Sequence, residues 1–215
     1  MPTETTGRTP HDLAAELTAE LAVDWPRLWR GLPQLGGPEF RTLFESCGWE
    51  YEVPVHERGA VSVRTPTDAH LTVFMDGRHR VEVARHYACQ VMADDPAENA
   101  AVLARAAQDW PDHLKAVESV LGPPTWTGPW DAADFPEPPH PSYWPDGAYR
   151  LENRSPEALA YWEPAGGAEG RPWVLLEQSV SRPTRTTTRP GSFLVTLDLW
   201  APPESLNAAN VRGTS

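Results

Sequence analysis

The chain has 215 residues and a mass of 23.8 kDa, enough for one ordinary domain with a buried core. It is 40% hydrophobic and 22% charged, a globular composition, and no apolar run approaches the ~18 residues that a transmembrane helix needs. Thirty acidic residues against eighteen basic ones leave a net charge of −12, a field that repels nucleic-acid phosphates and anionic membrane faces, so direct nucleic-acid binding and membrane association are not expected.

Along the chain, the start from Met1 to Leu13 has no basic region followed by an apolar stretch, so no secretory signal is read and a cytoplasmic location is expected. Thr9-Pro10-His11-Asp12 is a helix start, with Thr9 as N-cap and Pro10 at the first helical position. Leu13, Leu17 and Leu21 form its apolar stripe, and Asp24-Trp25-Pro26 is where it should stop. A short helical turn follows through Leu28 and Trp29. After Gly36-Gly37, Pro38 to Cys47 reads as a third helix that buries Phe40, Leu43, Phe44 and Cys47 and closes on a left-handed Gly48.

Beyond Gly48 the period becomes two. Trp49, Tyr51, Val53 and Val55 alternate as a half-buried strand does, and Ala60 to Arg64 is a second strand. Leu71 to Met75, Asp76-Gly77 and Arg78 onward make a hairpin. Only an odd loop, three residues with a bulge ending in a left-handed Gly77, puts Leu71 and Val73 on the same face as Val81 and Val83. The strand then runs to about Val91.

Asp94-Asp95-Pro96-Ala97-Glu98 opens a long helix that ends at Leu121, with Pro111 expected to kink or split it. Its apolar set is Ala101, Val102, Ala106, Trp110, Leu114, Val117 and Leu121. Residues 122 to 147 hold eight prolines together with Trp126, Trp130, Phe135, Tyr143 and Trp144, a composition too aromatic for a disordered linker and read as an extended strap over the domain surface. Strands return at Ala148 to Leu151, Ala158 to Trp162, Trp173 to Val180 and Ser192 to Trp200, as a meander, and the chain after Pro202-Pro203 should fray. The expected organisation is therefore residues 1–121 (helical region, meander and long helix), an insertion over 122–147 in the same domain, strands over 148–203 and a tail over 204–215. One echo is present: Asp24-Trp25-Pro26 and Asp109-Trp110-Pro111 each precede a stretch that closes at Leu-Gly-x-Pro.

The chemistry-bearing residues give no catalytic signature. There is no G-x-S-x-G. Cys47 lies on an apolar face at a helix C-terminus, where the dipole raises a thiol pKa. Cys89 stands outside any C-x-x-C pair, so both cysteines are expected as reduced thiols. His86-x-x-Cys89 with His79 lacks a fourth zinc ligand and puts residues 86 and 89 on opposite strand faces. His56-Glu57 and His11-Asp12 are solvated pairs, and Gly166-Gly167 is a turn without a phosphate-binding lysine. No metal and no cofactor are expected.

What remains is a binding signal. Residues 122 to 170 carry eight Asp or Glu against two Arg, whereas residues 171 to 215 carry three against five. In the acidic stretch, Trp126, Trp130, Asp131, Asp134, Phe135, Glu137, Tyr143 and Trp144 combine aromatic anchors with negative charge, as interfaces for a basic protein partner do. Ten tryptophans in the chain reinforce that reading. The absence of isoleucine, and seventeen arginines to the single Lys115, mark a GC-rich bacterial coding sequence.

The helix closed by Gly48-Trp49, the meander, and a long helix ending Leu121-Gly122-Pro123-Pro124-Thr125 before further strands resemble, over roughly residues 38 to 130, a family of small actinobacterial proteins grouped with the immunity proteins of polymorphic toxin systems. The resemblance implies helices packed on an antiparallel sheet, no cofactor, and action by occluding a partner. The expected fold is α+β, an antiparallel sheet of about six to eight strands packed by an N-terminal helical region and one long central helix. The expected function is a non-catalytic intracellular binding protein that inhibits or escorts a protein partner through an acidic, aromatic-rich surface. The alternative is a small-molecule enzyme with His70, His79 and His86 converging in a pocket between sheet and helices.

Overall fold

Capping and periodicity build most of the expected elements. In a computed structural model that describes residues 3–4, 8–33, 37–55, 59–76, 79–164, 170–181 and 190–210, the described residues form an α+β fold of six α-helices and a nine-stranded antiparallel sheet. The strands are β1 (Thr3–Glu4), β2 (Glu50–Val55), β3 (Ala60–Arg64), β4 (His70–Met75), β5 (Val81–Met92), β6 (Trp126–Pro129), β7 (Ala158–Trp162), β8 (Trp173–Ser181) and β9 (Ser192–Trp200). Their order is β2-β3-β4-β5-β9-β8-β7-β6, and β1 pairs with β5. The chain divides into two compact units, residues 1–14, 87–162 and 175–197 in the first and residues 15–86, 163–174 and 198–215 in the second.

Helix α1 (Pro10–Glu20) opens on a capping box in which Asp12 Oδ2 accepts from the Thr9 backbone N–H and hydroxyl, each at 2.8 Å. Its buried positions are Leu13, Glu16, Leu17 and Glu20, the i, i+3, i+4, i+7 set of one helix face. Leu21 is thus not the third member of the stripe. The helix ends at Glu20, short of the expected stop, in a tighter turn in which the Glu20 carbonyl accepts from the Val23 backbone N–H at 3.1 Å and from the Trp25 indole N–H at 2.8 Å. Asp24 then caps α2 (Trp25–Trp29), accepting from the Arg27 N–H.

In the second unit, α3 (Pro38–Ser46) buries Phe40, Leu43 and Phe44 and ends in a Schellman turn. Gly48, at φ +79°, donates to the Glu45 carbonyl at 2.9 Å, and Trp49 donates to the Phe44 carbonyl at 3.0 Å. The turn folds the Trp49 ring back onto Phe44, centroids 5.5 Å apart, and Trp25, Trp29, Phe40 and Tyr51 extend the cluster. The β4–β5 hairpin carries a bulge, but within β5 and not in the expected loop at Gly77, which lies outside the described residues. Phe74 pairs with Val83 and Met75 with Val81, leaving Glu82 extra. The bulge keeps Val81 on the Leu71 and Val73 face, but Val83 points to the other, with Phe74. Asp198 in β9 is buried and grips Arg85 through two bonds of 2.7 and 2.6 Å.

In the first unit, a single 3-10 turn at Pro96–Glu98 leads into α4 (Asn99–Leu121), which runs unbroken through Pro111. The expected split is absent; proline removes one backbone donor, while the helix stays fastened to the sheet by Gln178 Nε2 donating to the Ala106 carbonyl at 2.8 Å. The buried face is Val102, Ala106, His113 and Val117, so Ala101 is outside it and His113 inside.

Other expectations are corrected. Residues 148 to 151 are not a strand but part of α5 (Gly147–Asn153), because the Asp146 carboxylate caps the Tyr149 N–H at 2.9 Å. The strap is not merely laid over the surface and not wholly extended: Trp126 to Pro129 joins the sheet beside β7 as strand β6, and turns follow at 130–134 and 141–143. The residues after Pro202 do not fray at once, since α6 (Pro203–Asn210) follows and buries Leu206. The Asp-Trp-Pro echo starts one helix and lies inside another. The Val53 and Val55 side chains, His56-Glu57, Gly77, Gly166-Gly167 and residues 211–215 lie outside those described.

A Cβ at Gly48 would sit 3.1 Å from Pro66 Cγ on a left-handed backbone. Gly48→Ala is expected to lower unfolding stability by about 1–2 kcal/mol with an unchanged m-value in urea titration.

Candidate functional site

The acidic aromatic segment folds around one arginine. Arg150 of α5 is buried; it donates to the Trp130 carbonyl and lays its guanidinium 4.2 Å from the Phe135 ring centroid. The bond ties α5 to the turn that Pro129 and Ala132 carbonyls shape by accepting from Ala132 and Phe135. Trp126 packs edge-on against Phe135 at 4.7 Å, and its indole N–H donates to Asp134 at 3.3 Å. Arg154, left-handed at the C-cap of α5, lies over the Trp130 ring at 5.7 Å. The two arginines of the acidic stretch are therefore engaged with its own aromatic rings.

This arrangement separates the eight expected site residues. Asp131, Asp134 and Glu137 are exposed, and Trp126, Trp130 and Phe135 are half-buried. Tyr143 and Trp144, at 3% and 2% exposure, are core. Trp144 stacks on Tyr161 at 4.9 Å and donates to the Pro136 carbonyl at 3.0 Å, so neither residue offers a surface to a partner. The tryptophan count has the same explanation: Trp25, Trp29, Trp49, Trp144, Trp162, Trp173 and Trp200 are all buried, which makes the abundance chiefly a matter of packing. What sequence reasoning missed is helix α5, which turns Arg150 inward and leaves a large side chain open on each flank. Tyr149 and Leu151 are 55% and 56% exposed, the most open large hydrophobic residues among those described, with exposed Asp146 and Glu152 beside them. The Asp146 cap three residues before Tyr149 was the available signal for a helix there.

The histidines expected to converge do not. His70 is exposed and binds Glu52, which also accepts from Arg64, as a surface network. His79 is exposed at φ +59°. His86 alone is inside, paired with Leu71 across the hairpin and 3% exposed. Its companions are two glutamates that sequence reasoning placed on no site: Glu16 and Glu20, each 1% exposed, whose carboxylate atoms and the His86 ring lie within 4.8 Å of one another. His86 Nε2 is 3.8 Å from Glu16 Oε1. Trp49 Nε1 donates to Glu20 Oε1 at 3.1 Å, while Glu20 Oε2 has no hydrogen bond. Burial, and then the adjacent Glu16 charge, push the Glu20 carboxyl up to about 8. Their signal was the helix face itself, since the i, i+3, i+4, i+7 set that includes Leu13 and Leu17 also takes in positions 16 and 20.

No protein-family model, curated protein or solved structure matches the chain. Among the described residues, no helix is long and apolar enough to cross a membrane.

Burial, and for Cys47 the Glu20 charge, push both the Cys47 and Cys89 thiols up to about 11 from 9.0. The thiolate fraction near neutral pH falls about 100-fold, and the more basic thiolate recovers about tenfold of that rate. Alkylation of the native protein is therefore expected to run at least ~10-fold slower than that of the urea-unfolded chain, measured by mass-spectrometric labelling.

Proposed function

We propose that the protein binds a basic protein partner and acts by occupying its surface, as an inhibitor or escort in the manner of an immunity protein, through the face built by the Trp130–Glu137 turn and helix α5. The observation that carries this reading is Tyr149 and Leu151, more than half exposed on a helix held to an acidic turn by Arg150. Large apolar side chains left in water beside carboxylates suit a partner that is anchored by apolar contact and selected by charge. The exposed Asp131, Asp134, Glu137, Asp146 and Glu152 provide that charge. The half-buried Trp126, Trp130 and Phe135 stiffen the turn through their contacts with Asp134, Arg154 and Arg150 respectively. A cationic partner is steered to such a face, and the net charge of −12 assists the encounter. A partner whose cationic surface serves nucleic acid would be blocked without any catalysis.

The test uses the purified chain as bait in lysate from cells that encode it, with captured proteins identified by mass spectrometry. A basic protein is expected. Reversing Asp131, Asp134 and Glu137 to lysine should weaken its binding by at least ~10-fold, mainly through a slower on-rate that ceases to depend on salt. Tyr149→Ala with Leu151→Ala should instead speed dissociation. Affinity that is unchanged by both sets, or an acidic partner, would overturn the reading.

A further inference from the structure

Glu16 and Glu20 stand one helical turn apart on the face of α1 that also buries Leu17, and His86 meets them from β5. Glu20 shares a hydrogen bond with Glu16, which one proton held between the two carboxyls supplies; with that proton gone a cation must take its place, since an ionised carboxylate out of water is destabilising by several kcal/mol unless it is met by charge or donors. Trp49 supplies one donor, to Glu20 Oε1. Glu20 Oε2 receives none.

The separations say what kind of compensation fits. A hydrogen bond shared between Glu16 and His86 would bring nitrogen and oxygen to about 2.8 Å. They are 3.8 Å apart. Two ligands of one ion, each held at about 2.0–2.2 Å, can be no more than ~4.3 Å apart. The Glu16–His86 pair falls within that span and beyond hydrogen-bond reach. Charge points the same way, because two carboxylates and a neutral imidazole balance a dication to zero inside a low-dielectric core. The donor set of two oxygens and one imidazole nitrogen is hard enough for manganese and suits zinc, iron or cobalt, whereas calcium and magnesium favour all-oxygen shells. The Trp49 N–H on Glu20 Oε1 is the outer hydrogen bond that orients a ligating carboxylate.

We infer that Glu16, Glu20 and His86 form a binding site for a single divalent first-row transition-metal ion that joins helix α1 to strand β5. With all three ligands buried, the ion has a structural part, stabilising the second unit, and one carboxylate binding through both of its oxygens would complete the four donors that such a site needs. It is independent of the partner-binding face, none of whose residues takes part.

The experiment is metal analysis and titration of the full-length chain. Protein freed of metal with a chelator and dialysed is titrated with cobalt(II), read by its visible d–d bands, and with zinc(II), read by thermal melting. One equivalent of cobalt with bands of mixed oxygen and nitrogen coordination, and a melting midpoint that rises with zinc, is expected. Glu20→Gln, which keeps the shape and removes a carboxylate ligand, should preserve the fold by circular dichroism and weaken binding by at least ~10-fold; His86→Gln should do the same. A wild-type chain that takes up no cobalt and melts at the same temperature with zinc overturns the site. Binding that survives both substitutions also overturns it, by placing the ion elsewhere.

Discussion

Arg150 loses most of its contact with water on folding, and a guanidinium in that position must be met by acceptors and ring faces. Here it is met by the Trp130 carbonyl and the Phe135 ring. That requirement turns a stretch rich in proline, which cannot form a regular ladder of its own, into an ordered turn. It also sets the orientation of α5, because Arg150 is the only residue of that helix that points fully inward. With Arg150 inside, Tyr149 and Leu151 on either side of it are outside. The candidate face is a by-product of satisfying one buried cation.

The second unit meets the same physical demand with the opposite sign. Asp198 is matched directly by a forked arginine. Glu16 and Glu20 sit instead with a histidine and an indole N–H. The chain of causes is local at its start. Gly48 permits the left-handed turn, the turn swings Trp49 back over Phe44, and the same indole then reaches Glu20 from the aromatic cluster. A glycine chosen for backbone geometry thereby places an indole donor that holds Glu20 in position.

Burial explains why the aromatic content misleads. Interfaces and cores both favour tryptophan, and composition carries no information on which of the two a given ring joins. Seven of the ten are in the core, so the acidity of residues 122 to 170 identifies the candidate face better than the indoles do. Tyr143 and Trp144 share the segment, its prolines and its charge, yet they fill the space beneath it.

The helix starts at Thr9 and Pro38, the glycine stop at Gly48, the long helix and the strands β7 to β9 were all legible in the sequence, because each depends on contacts between residues a few positions apart. Caps, alternation and turn chemistry are local physics. Which face of α1 entered the core, whether Pro111 divided α4, and whether residues 148 to 151 extended or coiled were decided by tertiary structure. Those outcomes depend on partners far along the chain: His86 for Glu16, Gln178 for the α4 backbone, Trp130 and Phe135 for Arg150. A glutamate reads as solvent-exposed until the strand that buries it is in place, and only the folded chain brings that strand to it.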